Sequence, residues 1–190
     1  MDFPALGIDP HDLTELERSV TEEEVWAAIR DMPSDRAPGP DGFTGAFCRA
    51  SWAAIKGDIL NAINAVLFGD GRAFGLLNNA LIVLLPKSAD AIEPANYRPI
   101  TMIHSLAKLI SKILAIRLAP RMNDIIAPNQ NAFIRGRTIH DNFKYIQRAA
   151  VLLRTKKIPK ILLKLDIAKA FDTIDWAFIL DVLQAMGFGQ

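Results

Sequence analysis

Most apolar residues in this chain recur at helical spacing, but two short runs do not. Residues 80–85 and 161–166 are β-rich stretches of strand length; Pro86 stops the first and the second ends on Asp166. A chain that sets isolated strands among amphipathic helices is predicted to be α+β. The first run reads as a buried strand delivering Lys87 at its exit, the second as a strand that alternates imperfectly.

Local signals punctuate the helices. Thr21 and Glu24 have capping-box spacing ahead of a helix over 22–32 that Pro33 closes. Pro38-Gly39-Pro40-Asp41-Gly42 cannot continue a helix and reads as a tight loop. A second helix is predicted over 45–68, with Phe47, Ile55, Ile59, Ile63, Val66 and Leu67 at helical intervals and Gly69-Asp70-Gly71 ending it. Arg98 precedes Pro99, which pushes it toward extended backbone. A long helix over 105–123 is ended or kinked at Pro120 and carries Lys108, Lys112, Arg117 and Arg121 on its polar side. A third follows over 139–154, then a basic turn over 156–160. Asp175 can cap a last helix over 176–186, with Gly187 just past its end.

Composition removes several function classes. At 51% hydrophobic and 23% charged, 190 residues suit a soluble domain with a real core. No apolar stretch approaches the roughly 18 residues of a membrane helix, and the acidic start does not resemble a secretory leader. The expected location is cytoplasmic or nuclear, with no membrane partner. One cysteine, Cys48, excludes an internal disulfide framework, and the scattered His11, His104 and His140 lack zinc-ligand spacing. The net charge of +1 hides a polarity: residues 1–70 hold 5 Lys+Arg against 13 Asp+Glu, whereas residues 71–165 hold 16 against 4. The second stretch can offer a phosphate-binding face or a set of solvated helix faces.

Chemistry concentrates at Lys164-Leu165-Asp166-Ile167-Ala168-Lys169-Ala170-Phe171-Asp172. A carboxylate at a strand end either fixes a hard cation against phosphate or caps the following turn. This run resembles the first catalytic motif of reverse transcriptases, specifically those of non-LTR (LINE-type) retrotransposons of plant type. The resemblance extends upstream in order: Arg36-Ala37-Pro38-Gly39-Pro40-Asp41-Gly42-Phe43, Leu85-Pro86-Lys87, Asn96-Tyr97-Arg98-Pro99-Ile100, and Gln130-x-Ala132-Phe133-x-x-Gly136-Arg137 with Asp141-Asn142 following. Asn131 and Arg135 depart from residues common in such blocks.

The resemblance implies a right-hand polymerase: an N-terminal helical segment over 1–35, fingers over 36–160, and the first palm strand and its helix over 161–190. By similarity Asp166 bridges the Mg²⁺ ions, with the backbone carbonyl of Ile167 adding a ligand. Phe171 would sit under the sugar and clash with a ribose 2′-hydroxyl, while Asp172 reads as a turn residue. Lys87 and Arg98 would grip the incoming triphosphate. Gln130, Phe133, Gly136 and Arg137 would shape the template and nucleotide pocket, and Arg36, Gly39, Asp41 and Gly42 would lie along the template. RNA template, DNA primer and dNTPs are the implied partners.

The family's second metal-binding block carries two adjacent aspartates, and this sequence has no Asp-Asp pair. The expectation is therefore an RNA-directed DNA polymerase domain cut off before its second catalytic motif and inactive alone. Competing expectations are a non-catalytic nucleic-acid-binding remnant and a functionless relic of a retroelement.

Overall fold

A computed structural model describes residues 3–34, 36–69, 72, 74–157, 159, 161, 163, 165–167 and 173–189. They form a mixed helical and stranded chain in two compact units, Arg18–Arg117 and a second that joins Met1–Glu17 to Leu118–Gln190.

The first unit opens with α1 (Glu22–Arg30), started by the expected capping box: Glu24 N–H donates to Thr21 Oγ1 and Thr21 N–H donates to Glu24 Oε2. The helix predicted over 45–68 is two helices, α2 (Gly45–Ala50) and α3 (Trp52–Phe68), because Ser51 leaves helical geometry at φ −95° and ψ 4°. The break lets Cys48 of α2 and Ile63 of α3 reach one core, and Trp52 stacks on Trp26 of α1 at 5.3 Å. A short α4 (Phe74–Leu77) precedes the hairpin, and α5 (Ser105–Leu118) closes the unit.

Each helix gives the core one stripe: Val25, Ala28 and Ile29 from α1, Ile63 from α3, and Leu109, Ile110 and Ile113 from α5. These i, i+3, i+4 spacings are the physical content of the sequence pattern. Polar groups tie the stripes together. Arg49 donates to the carbonyls of Ile29 and Met32, satisfying the end of α1, while Asn64 accepts from Val20 N–H.

Strands β1 (Ala80–Pro86) and β2 (Tyr97–Ile103) pair antiparallel in register Leu85↔Arg98 and Leu84↔Pro99. The expectation of a buried strand over 80–85 is corrected: every residue of β1 is exposed, since among the described residues the hairpin is two strands wide and no layer of its unit covers β1. Lys87 N–H donates to the Asn96 carbonyl, which by antiparallel alternation makes Leu85 and Arg98 a hydrogen-bonded pair and Leu84 and Pro99 a non-bonded one. Pro99 is tolerated because an amide there would point outward.

In the second unit Pro120 ends α5's regular run: a 3₁₀ turn, Ala119–Arg121, leads into α6 (Met122–Ile125) instead of one helix to residue 123. Then come α7 (Ile139–Thr155) and α8 (Trp176–Ala185), the latter capped as expected by Asp175 accepting from Phe178 N–H at 2.9 Å, with Gly187 at φ +94°. The N-terminal segment docks here: His11 N–H donates to the Met186 carbonyl, Leu13 is buried, and Arg121 bonds to the Glu15 carboxylate and the Asp12 carbonyl. The strand expected over 161–166 is not formed at its described positions, Ile161, Leu163, Leu165 and Asp166. A strand needs a hydrogen-bonding neighbour, and the sheet of the described residues is complete with β1 and β2. Leu162 and Lys164 lie outside the described residues, as does most of the basic turn's second half. Among the described residues no helix is long and apolar enough to cross a membrane.

Candidate nucleic-acid interface

Lys87 and Arg98 are brought together by the hairpin. Arg98 faces Leu85 across the ribbon, and Lys87 lies two residues beyond Leu85, so continuing the register makes the two cations diagonal neighbours on one face. Lys87 Nζ donates to the Ala95 carbonyl at 2.7 Å, bracing the turn between the strands, and Arg98 is exposed. This is the arrangement a flexible point charge and a forked cation need to share one polyanion.

The glycine loop sits at the opposite end of the hairpin. Gly39 is buried, and a Cβ there would collide with the Ile103 carbonyl at the end of β2. Gly42 N–H donates to the Gly39 carbonyl at 3.1 Å, closing a turn with Pro40 at its second position, and Gly42 has φ +71°. Five residue steps of strand lead from Arg98 to Ile103, about 17 Å at ordinary strand rise, so loop and cation pair are distinct places.

Asp41 turns inward. Its Oδ2 accepts from the backbone N–H and the hydroxyl of Ser105, the latter at 2.7 Å, and its Oδ1 accepts from Phe43 N–H at 3.3 Å. A carboxylate thus crowns the first turn of α5, where free N–H groups and the helix dipole favour negative charge. Burial works to raise this carboxyl, but the bonds from Ser105 and Phe43 and the nearby His104 outweigh it and hold it below its usual range. Arg36 stays exposed and borders a cleft beside β2 together with Lys108 and Lys112, two cations the sequence pattern had assigned only to a polar helix side.

In the second unit Gln130, Gly136 and Arg137 share one loop. The Arg137 guanidinium donates to the carbonyls of Ala127, Gln130 and Ile126 at 2.7, 2.8 and 3.1 Å and to Asn123 Oδ1 at 3.1 Å. Its donors therefore hold the loop's shape. Gly136 takes φ +83°, and Ile134 is buried beneath, whereas Phe133, at φ +65°, is fully exposed. Asp166 and Ile167 are exposed, and Phe171 and Asp172 lie outside the described residues. Among the described residues no group of three or more His, Cys, Asp or Glu side chains is placed to hold a metal ion.

Comparison with known proteins decides the family. Residues 85–190 match the family described as Reverse transcriptase (RNA-dependent DNA polymerase). The chain belongs to the reverse transcriptase family. Lys87, Arg98, the 130–137 loop and Asp166 fall inside the matched reverse transcriptase region, and the glycine loop precedes it. The chain is 32% identical over 174 residues to the Transposon TX1 uncharacterized 149 kDa protein of Xenopus laevis, covering 92% of this chain and 13% of that protein. It is 31% identical over 173 residues to the Pol polyprotein from type-1 retrotransposable element R1 of Bradysia coprophila, covering 88% and 17%. Against the Pol polyprotein from type-2 retrotransposable element R2DM of Drosophila melanogaster the identity is 32% over 174 residues, covering 87% and 16%. These relatives bear out a reverse transcriptase domain of the non-LTR retrotransposon class; the plant type remains an expectation. The chain spans less than a fifth of the length of each of these curated relatives.

Proposed function

We propose that this chain supplies the fingers and the opening of the palm of an RNA-directed DNA polymerase of a retrotransposon. The observation that carries the reading is the family match over 85–190, which holds Lys87, Arg98 and Asp166 in one ordered series. In this reading 1–35 leads into the fingers, 36–160 grips template and incoming nucleotide, and 161–190 begins the palm. Lys87 and Arg98 hold the triphosphate of a dNTP, the 130–137 loop frames the template and nucleotide pocket, and the Arg36 to Gly42 loop lies along the RNA template. Phe171 excludes a ribose 2′-hydroxyl.

Divalent ions are the family's general requirement, and Mg²⁺ is the ion proposed. A hard cation takes one or two protein carboxylates and fills its shell with water and phosphate oxygens, which suits the exposed Asp166 and the Ile167 carbonyl. Two ions roughly 3.5 to 4 Å apart need a further carboxylate to hold them in register. Among the described residues no such set of carboxylates comes together. The strongly basic stretch over 71–165 favours nucleic-acid binding without catalysis as the second reading.

Purified protein mixed with an RNA template annealed to a DNA primer, dNTPs and Mg²⁺ tests both. Binding that weakens with salt, without primer extension, is the expected result. Extension that disappears in Asp166→Asn would overturn the inactivity of the chain alone, and the absence of any binding would overturn the nucleic-acid role.

A further inference from the structure

A cleft of about 550 Å³ opens in the Arg18–Arg117 unit beside β2, bordered by Arg36, Phe43, Lys108 and Lys112. Its wall is apolar strand, including Ile100 and Ile103, and its rim is cationic. Lys108 Nζ lies 3.5 Å from the Ala37 carbonyl, next to Arg36, and Lys112 stands one helical turn further along α5. Cβ atoms four residues apart on a helix are about 5 to 6 Å from each other, a spacing that suits successive phosphates of an extended strand. Among the described residues one carboxylate borders the same cleft, Asp31, and it pairs with Lys112.

The aromatic partner is Phe43. The residue is 47% exposed, yet it is fixed from two sides: its ring stacks on Phe47 at 4.8 Å with planes 14° apart, and its backbone N–H is held by Asp41, which is itself anchored on Ser105. A half-bare ring with a set orientation beside a row of cations is the combination that binds unpaired bases and their backbone. A duplex offers such a ring no base face, because its bases stack on one another. The cleft's size admits one or two nucleotides.

We propose that this cleft is a single-stranded nucleic-acid subsite, in which Phe43 stacks on an unpaired base while Arg36, Lys108 and Lys112 hold the adjoining phosphates. The assignment rests on reading the chain as the template-gripping part of a polymerase, and adds to it the stacking residue and the two α5 lysines.

The test titrates the full chain into a 12-nucleotide RNA carrying one 2-aminopurine, followed by anisotropy and by quenching of the base, across a series of salt concentrations. Phe43→Leu is expected to weaken binding at least fivefold and abolish the quenching while leaving the salt dependence intact; Phe43→Tyr keeps the quenching. Lys108→Gln with Lys112→Gln is expected to lower the slope of log affinity against log salt by about 1.4, the value for two phosphate contacts on a single strand. Arg36→Gln, on an exposed residue, is expected to lower it by about 0.7.

Quenching and affinity unchanged in Phe43→Leu would overturn the stacking role. A slope unchanged in the lysine variant, but lowered by Lys144→Gln with Arg148→Gln on α7, would put the binding face elsewhere and overturn the subsite while leaving the proposed function standing. Equal affinity for a duplex of the same sequence would also overturn it. No binding of RNA by the unmodified chain would remove the proposed function along with it.

Discussion

Arg117 grips Glu24 with both arms of its guanidinium: Nε and Nη2 each donate to a different carboxylate oxygen at 2.8 Å. The same guanidinium also donates to the carbonyls of Arg18 and Ser19, so the end of α5 is sewn to the start of α1. Glu24 serves the capping box at the same time, accepting from Thr21 N–H. With Arg117 nearly buried, this pair is far from the weak surface case and closer to one whose rupture strands a charge.

Acid should dissolve that joint. The hydrogen bonds from Arg117 hold the Glu24 carboxyl at about 2, against an ordinary 4.5. A lowered carboxyl contributes stability that is complete above pH 4.5 and is lost as pH falls through 2. Glu24→Gln is expected to cost about 2 kcal/mol at pH 7 and almost nothing at pH 2. Urea denaturation of both proteins at the two pH values checks this, the variant cancelling the contributions of Asp31 and the other depressed carboxylates.

Ile63 is completely buried at the centre of the first unit's core. Ile63→Ala is expected to destabilise by about 2 to 5 kcal/mol and Ile63→Val by about 0.5 to 1.5, the difference reflecting the cavity each leaves. Denaturant midpoints at constant slope measure it.

Two glycine-to-alanine changes should act in opposite directions. A Cβ at Gly57, inside α3, meets open space, so Gly57→Ala is expected to stabilise by about 0.5 to 1 kcal/mol. At Gly39 the same methyl group runs into the Ile103 carbonyl, and Gly39→Ala is expected to lower the melting temperature and loosen the loop that carries Asp41. Thermal melts of the pair check the sign of each.

Arg137→Lys keeps the charge but removes the fork that holds the carbonyls of Ala127, Gln130 and Ile126. Amide hydrogen exchange is expected to accelerate across 126–137 and to stay unchanged in α1. An effect on RNA affinity without faster exchange would instead mark Arg137 as a direct contact.

Local chemistry was readable in advance and distant chemistry was not. The cap pairs Thr21 with Glu24 and Asp175 with Phe178 are separated by three residues, and both formed as their spacing demands. The roles of Asp41 at the head of α5 and of Arg49 at the tail of α1 depend on contacts 64 and 17 residues away, beyond any periodicity. The same holds for the cleft: Lys108 and Lys112 look like an ordinary polar helix side until the chain folds and sets Arg36 and Phe43 against them. A β-rich composition at 161–166 was enough to suggest a strand, yet pairing depends on a neighbour that composition does not supply.

Pro99 has a use beyond fitting where it does no harm. The outer margin of β2 is a row of amide groups that would welcome another extended peptide, and one rung of that row is missing at Pro99. A stray strand sliding along the hairpin would find its ladder interrupted midway, which lets so greasy a ribbon stay bare without becoming a template for fibre growth.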